Sequence, residues 1–565
     1  MPEQNSRRKF LKFSTLAGLG IAANPLSSFS APKDEEKNTV ALKAEIKPGQ
    51  QVVSLLQTTD VHCQLHPHDE LFWENGKSVF RKTGGYANLK TYFDIARKKN
   101  PNTFIIDTGD MFQGSELSVK TTGKALQPIL NSLGYDLYIP GNWEVVYYKE
   151  NMQKLLGGLK APKICSNMYH DLGGGKKGEL IFPPYYTWNI AGIKIGFIGY
   201  TDPLVPVRQS PAYSNGIMYT FPEENLAYYV KVLKEQEQCD FVILLSHLGL
   251  SQQIKLANHP ACKDVNYIFG GDTHERVRKP IQCTYSKVVE PGAFGSFVGR
   301  LDLIVENGKI INEKYTLDEV DSKRYKPNAA VEAIIAKSEL PLKKDIIKIV
   351  GHSTLPLYRY FVVENTIDTL IIEALMWKVK PDIVLSNGFR FCPPNTTPDA
   401  TGNIPITEGF IFDMLPIDST LRTAKVSGKQ IKQWLEKELN NVFAKDASMR
   451  LGGWVVKFKG MKVEFKAFEE MDNRVKKVTV NGEKLDEEKM YVVSACEREG
   501  DPDHLLCRIP NVKDAVNTPY TLHEVMKEYL ASNSPVTPKP EGNAIILDAP
   551  STILSQVYGV DYKFV

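Results

Sequence analysis

Along the first half of this chain, apolar and polar positions alternate in blocks rather than residue by residue. Short, almost continuous apolar runs break off into loops that carry aspartate, asparagine and histidine. Val52-Val53-Ser54-Leu55-Leu56 leads into Asp60, and Thr103-Phe104-Ile105-Ile106 leads into Asp110. Ile193-Lys194-Ile195-Gly196-Phe197-Ile198 leads to Thr201-Asp202-Pro203, Phe241-Val242-Ile243-Leu244-Leu245 to His247, and Val265-Asn266-Tyr267-Ile268-Phe269 to Asp272. Runs of this kind mark buried strands, with helices predicted from Gly85 to Arg97 and from Glu223 to Gln238. The pattern predicts an α/β region whose ligands gather beyond the strand ends. Gly292 to Ile311 predicts β-hairpin material that closes this region near residue 320.

Ala329 to Lys344 has helical apolar spacing and reads as a connecting helix, and a second α/β region begins at about Ile349. There, Glu364 to Leu370 opens a helix with a polar first turn, and Asp382 to Ser386 is a strand ending in Asn387-Gly388-Phe389-Arg390. Val426 to Leu439 predicts another helix, and Asn481-Gly482 a tight hairpin turn. The resulting division is a signal at 1–31, a linker at 32–51, a first domain at 52–325 and a linker helix at 326–347. A second domain follows at 348–535, and a proline-bearing tail at 536–565 is expected to wrap the surface.

A length of 565 residues exceeds a single core, while 42% hydrophobic and 24% charged residues are ordinary for a globular protein. The net charge of +3 gives no electrostatic reason to expect a nucleic-acid polymer, or a membrane surface, as partner. Beyond the N-terminus no apolar run is long enough to span a bilayer. Ser6-Arg7-Arg8-Lys9-Phe10-Leu11-Lys12 precedes a mildly apolar stretch to about Ala23 and small residues from Ser27 to Ala31. That arrangement resembles a twin-arginine export signal and places the expected destination in the periplasm. Eight cysteines show no Cys-x-x-Cys spacing, so disulfides are allowed but their pairing stays open. Cys63 reads as a small buried residue beside the site.

Five loop motifs carry the chemistry: Asp60-Val61-His62, Gly109-Asp110, Gly141-Asn142-Trp143-Glu144, Ser246-His247 and Gly270-Gly271-Asp272-Thr273-His274. Together they offer about seven oxygen and nitrogen ligands on one sheet edge, the number that two adjacent divalent metals need. Asp60, His62, Asp110, Asn142, His247, Asp272 and His274 are the expected ligands. Asp110 is the natural bridging carboxylate, and Asp60 and His62 would alternate on an extended segment so that both face one ion. Such a metal pair would share a hydroxide nucleophile and neutralise charge on a phosphorus or sulfur centre. Mn²⁺ is the expected metal, with Zn or Fe as alternatives.

These motifs, with Gly109-Asp110-Met111-Phe112-Gln113-Gly114, resemble the calcineurin-like metallophosphoesterases. The following domain, with Asn387-Gly388-Phe389-Arg390 near its centre, resembles the C-terminal domain of the 5′-nucleotidase family. The resemblance implies a four-layer αββα catalytic sandwich followed by a smaller α+β substrate-binding domain. It further implies that Arg390, with Asn387 beside it, holds an anionic substrate group, as a strand-end arginine can do bidentately.

Two departures from the family pattern bear on the substrate. Trp143 stands where the family has a histidine that assists the transition state, and indole is no general acid. The nucleotidases carry base-stacking aromatics where this chain reads Leu415-Pro416-Ile417-Asp418-Ser419 and Glu499-Gly500-Asp501-Pro502-Asp503. The Trp-Glu pair, the Gly-Asp-x-x-Gln-Gly-Ser segment, Gly388-Phe389-Arg390 and Arg450-Leu451-Gly452-Gly453 resemble the SoxB-type thiosulfohydrolases. Those enzymes use two manganese ions to hydrolyse sulfate from a thiosulfonate on a carrier protein. The expected activity is therefore hydrolysis of an anionic sulfur ester on a carrier protein. The alternatives are a nucleotide phosphomonoesterase acting on a small anionic substrate, and a metal-binding homologue without catalysis. In the catalytic loop Asn142, Trp143 and Glu144 are set against blander readings: Trp143 as packing, Glu144 as an orienter of a ligand. His66, His68, Arg498 and Arg508 are further candidates for substrate contact.

Overall fold

The computed structural model describes residues 47–386, 392–446, 449–450, 453–554 and 564. The expected signal and nearly all of the expected linker lie outside these residues, as do Asn387 and Arg390. Strand Gln50–Thr58, buried from Val52 onward, pairs in parallel with Thr103–Asp107 and antiparallel with Phe297–Glu306. The sheet around it runs in the order Lys309–Glu319, Phe297–Glu306, Gln50–Thr58, Thr103–Asp107, Leu137–Tyr138. A second sheet runs Ile281–Gln282, Lys287–Val289, Tyr267–Phe269, Phe241–His247, Ile193–Thr201, Tyr185–Ile190. In it, Phe241–His247 is parallel to both of its neighbours.

Val53, Leu55, Phe104 and Ile106 of the first sheet share one core with Ile195, Phe197, Ile243 and Tyr267 of the second. Phe104 stacks on Phe197 with ring centroids 5.2 Å apart. Each such buried side chain contributes roughly 1.5–3 kcal/mol, so the seam between the sheets stabilises the layer that carries the strand ends. Helix Tyr86–Lys99 buries Leu89, Tyr92, Phe93 and Ala96, a spacing that gives it one apolar face. With Leu126–Leu133, Leu226–Lys231 and Leu250–Ala257 it supplies the outer layers of a four-layer αββα sandwich.

The C-terminal half is built on a five-stranded sheet, Lys457–Lys459, Ile383–Ser386, Met490–Cys496, Thr420–Ser427, Lys513–Thr521, and on a smaller four-stranded one. Two local differences from the sequence reading have simple causes. Val426 stays in strand Thr420–Ser427, because Ser427 and Gln430 form a capping box that starts the helix at Gly428. The tail does more than wrap the surface: Ala544–Ile546 pairs in parallel with Met461–Phe465, and Ala544 and Ile546 are buried. Asn481 and Gly482, at φ 50° and 86°, make the expected tight turn, whose two central residues both need positive φ. Among the described residues no helix is long and apolar enough to cross a membrane. All eight cysteines lie among the described residues and are free thiols.

Candidate metal centre

The ligand loops begin where strands run out, and their backbone is unusual. Asp60, His62, Asp110, Asp272 and His274 have φ of 50°, 49°, 62°, 86° and 59°. Non-glycine residues rarely adopt this left-handed region, which costs about 1–3 kcal/mol each and concentrates at functional sites. The extended alternation expected from Asp60 to His62 does not occur, because the strand stops at Thr58 and the chain turns inward. Neighbouring loops hold that turn: Asp60 N–H donates to Gly109 O at 2.9 Å, and His62 N–H to Asp110 O at 3.0 Å. The loops touch so closely that a Cβ on Gly141 would fall 2.3 Å from Asp110 Oδ1.

Five of the expected ligands converge. Asp60 Oδ1 lies 3.7 Å from Nε2 of His62, 3.7 Å from Nε2 of His247 and 3.3 Å from Nε2 of His274. Asp110 Oδ2 lies 3.7 Å from His62 Nε2 and 3.2 Å from His247 Nε2. Asp60, His62 and His274 form one compact donor group, and Asp60, Asp110 and His247 a second. Ligands bound at about 2.0–2.2 Å to one ion lie about 3 Å apart, so these separations suit a shared coordination shell. Asp60 belongs to both groups, while Asp110, the expected bridge, faces a histidine of each.

The histidines are aimed by their other ring nitrogens. His62 Nδ1 lies 3.0 Å from Gln113 O, and His247 Nδ1 lies 2.7 Å from Thr108 O. A carbonyl only accepts, so each Nδ1 carries a proton. In the neutral ring, Nε2 then presents its lone pair inward. Asp60 Oδ1, His247 Nε2 and Asn142 Oδ1 are buried without a hydrogen-bond partner. Buried polar atoms are almost always paired, so these orphans fit ligands of a cation. Burial, then the charge of His274, pushes the His62 imidazolium below its ordinary pKa. Burial works against the His247 imidazolium too, yet the Asp110 and Asp60 carboxylates hold it well above the ordinary value. A divalent cation would take the place of that proton.

Two expected site residues are engaged elsewhere. Asp272 is in neither donor group; its carboxylate pairs with Arg208, 3.1 and 3.0 Å from Nη2, and accepts from Asn142 Nδ2 at 2.9 Å. Glu144 accepts from the N–H groups of Gly141, Asp110 and Met111 at 2.5, 3.0 and 2.6 Å, so it clasps loops rather than facing a reaction. Burial and the charge of Asp110 push its carboxyl up to about 8. Trp143 donates its N–H to Asp110 Oδ1 at 2.8 Å and borders a cavity. Exposed His66 pairs with Glu339, and His68 Nε2 lies 3.1 Å from Ser296 Oγ. Arg508 pairs with Glu438, and Cys63 is buried with its thiol 3.1 Å from Met111 O.

That cavity, of about 430 Å³, lies between the two halves. Trp143, Arg208 and Tyr213 line it on the catalytic side, and residues 414–420 and 496–500 on the other. Glu499 and Arg498 close it: Tyr148 Oη donates to Glu499 Oε1 at 2.9 Å, and Arg498 Nη1 to Val207 O at 2.8 Å. Arg208 and the buried Arg359, whose Nη1 donates to Met414 O at 2.7 Å, escaped the sequence reading. For Arg208 the only signal was Asp202, in the one strand-end loop without an assigned ligand.

A two-sheet sandwich with this histidine and carboxylate cage at its strand ends defines a metal-dependent hydrolase. The family model for calcineurin-like phosphoesterases matches residues 53–276, and that for the 5′-nucleotidase C-terminal domain matches residues 349–496. The chain belongs to this superfamily of calcineurin-like metallophosphoesterases with a 5′-nucleotidase C-terminal domain, a fold that implies divalent metals. It is 26% identical over 400 residues to the trifunctional nucleotide phosphoesterase YfkN of Bacillus subtilis, covering 63% of this chain but only 26% of that protein. It is 23% identical over 542 residues to the 5′-nucleotidase of Vibrio cholerae, covering 86% of this chain and 91% of the relative. Among solved structures, the sulfate thiohydrolase SoxB of Thermus thermophilus superposes with a TM-score of 0.79 at 22% identity, over 90% of this chain and 98% of SoxB.

Proposed function

We propose that the chain is an exported hydrolase that cleaves an anionic sulfur ester, a thiosulfonate on a carrier protein. Asp60, His62, Asp110, Asn142, His247 and His274 hold two divalent ions, manganese by preference. When bound, such a pair lowers the pKa of a water molecule and neutralises charge at the attacked centre. The observation that carries the sulfur reading is the aliphatic C-terminal wall of the cavity: opposite Trp143 and Tyr213 stand Ile371, Leu375, Leu385, Leu415, Ile417 and Leu522, and among the described residues that wall offers no ring for a nucleobase. Trp143 supports it, since indole donates no proton to a leaving alkoxide. A thiol, with a pKa near 8.5, departs as thiolate without that help. Water oxygen bonds to the sulfonate sulfur, the sulfur–sulfur bond breaks with its electron pair going to the carrier sulfur, and sulfate, the carrier thiolate and the two protons of the water are the products. Arg390 and Asn387 are proposed to hold the sulfonate.

A nucleotide phosphomonoesterase is the second reading, favoured by the near full-length match to the Vibrio cholerae 5′-nucleotidase and by Tyr213 on the cavity rim. Sulfate release from a carrier S-thiosulfonate, compared with phosphate release from AMP and p-nitrophenyl phosphate in Mn²⁺, separates the readings. Rapid sulfate release with little AMP turnover is expected. Ordinary AMP turnover would overturn the sulfur reading, and metal occupancy without any turnover would mark a non-catalytic homologue. Asp110→Ala is expected to empty both sites by elemental analysis; retained stoichiometry would remove Asp110 from its shared role. Export rests on Arg7-Arg8 and is checked by fractionating cells that carry Arg7→Lys/Arg8→Lys, which are expected to retain the protein inside.

A further inference from the structure

Asp202, Arg208 and Asp272 form a run of largely buried ion pairs that meets the metal loops at Asn142 and at Asp60. Arg208 Nη1 donates to Asp202 Oδ2 at 2.7 Å, and its Nη2 donates to both oxygens of Asp272 at 3.1 and 3.0 Å. The three side chains are 15%, 3% and 5% exposed for Arg208, Asp202 and Asp272, so the charges are held in a low-dielectric setting. Asp202 is itself fixed by the N–H of Leu204 at 2.9 Å. Asp272 then reaches toward the metal loops twice. Its Oδ1 accepts from Asn142 Nδ2 at 2.9 Å, and its backbone N–H donates to Asp60 Oδ2 at 3.0 Å.

An ionised carboxylate accepts hydrogen bonds and donates none. The Asn142 amide must therefore turn its NH₂ toward Asp272, and its oxygen faces the opposite way. That oxygen is buried and has no hydrogen-bond partner. Bidentate pairing with Arg208 meanwhile occupies the Asp272 carboxylate, which belongs to neither donor group.

We infer that Asp272 is a positioning residue rather than a ligand: Arg208 neutralises and anchors it, and it aims the Asn142 carbonyl at the ion held by Asp110 and His247. The inference rests on the two-metal reading above. Its consequence is that the second ion receives a neutral amide oxygen in place of another anion. The sequence position expected to ligate becomes a support, and one coordination position stays available to water or substrate.

Calorimetric titration of Mn²⁺ into the metal-stripped full chain, with stoichiometry by elemental analysis, tests it without any substrate. Wild type is expected to bind two ions. Asn142→Ala, Asp272→Ala and Arg208→Met should each weaken the second ion about 10- to 100-fold and leave the first unchanged. Asp272→Ala combined with Asn142→Ala should be no weaker than Asn142→Ala alone, since one acts through the other. Additive losses in that pair would make Asp272 an independent ligand and overturn the inference. Unchanged second-ion affinity in a folded Arg208→Met would do the same, and if that variant fails to fold the Asp272/Asn142 pair decides alone. Wild type binding fewer than two ions overturns the two-metal reading itself, an outcome visible before any variant is measured.

Discussion

Glu144 sits two residues after Asn142, yet its carboxylate ties the Gly141 turn to the Asp110 loop through three backbone N–H groups. Glu144→Gln would turn an NH₂ group against donors that need an acceptor. We expect a stability loss of about 1–3 kcal/mol in urea unfolding, together with weaker binding of both metals. Unchanged stability with lost turnover would instead return Glu144 to the chemistry. At this scale the donor types were legible in the sequence, because consecutive strand ends deliver their loops to one sheet edge. Asp60, His62, Asp110, His247 and His274 come together on that account. The left-handed backbone at these positions was not legible, since no local signal predicts a strained aspartate. Nor was the diversion of Asp272, whose partner Arg208 ends a short helix, Val205–Arg208, far away along the chain and without a ligand motif.

Elements follow the apolar blocks closely, and they depart from them where a polar residue is buried or a tail finds an open edge. Strand Lys457–Lys459 is the clearest case. Lysine is almost never fully buried, yet Lys457 is 3% exposed, and its Nζ donates to Val362 O at 2.9 Å and Val455 O at 2.6 Å. Burial lowers its pKa from 10.5 to about 8, against the pull of Asp368 and Glu364. A lysine with a depressed folded-state pKa binds fewer protons folded than unfolded between those two values. Stability therefore rises with pH across that window, and the cost of the buried charge is fully present below pH 8. At about 1.4 kcal/mol per pKa unit the change is about 3 kcal/mol. Lys457→Met should remove this rise from a plot of unfolding free energy against pH. An unaltered slope would show that the lysine titrates as an exposed one.

The division of the molecule into two halves was legible from the change of pattern after the connecting helix, but the contacts that join them were not. They link residues far apart along the chain, and no periodicity predicts such a meeting. Arg276 is the centre of one. Two residues beyond His274, it donates through Nη2 to Glu70 Oε1 at 2.6 Å and through Nη1 to Leu71 O at 2.5 Å. Around its guanidinium stand the rings of Phe297 at 4.6 Å, Tyr360 at 5.1 Å and Phe564 at 4.6 Å, and the Tyr360 hydroxyl also donates to Glu70. Next to Glu70, Asp69 Oδ2 accepts from the N–H and hydroxyl of Thr396 at 3.0 and 2.9 Å, which fastens the same strand to the C-terminal half. One buried ion pair thus serves the metal loop and the joint between the halves together. Arg276→Met would leave Glu70 charged, buried and without its partner, at a cost of about 3–5 kcal/mol. Calorimetry is expected to show one unfolding transition in wild type and two in Arg276→Met, with the catalytic half melting first and its metal released in the same step. Replacing Glu70 with Leu in the same chain removes the stranded charge and should restore much of the stability. A double variant as unstable as Arg276→Met would assign the loss to the aromatic cage around the guanidinium instead.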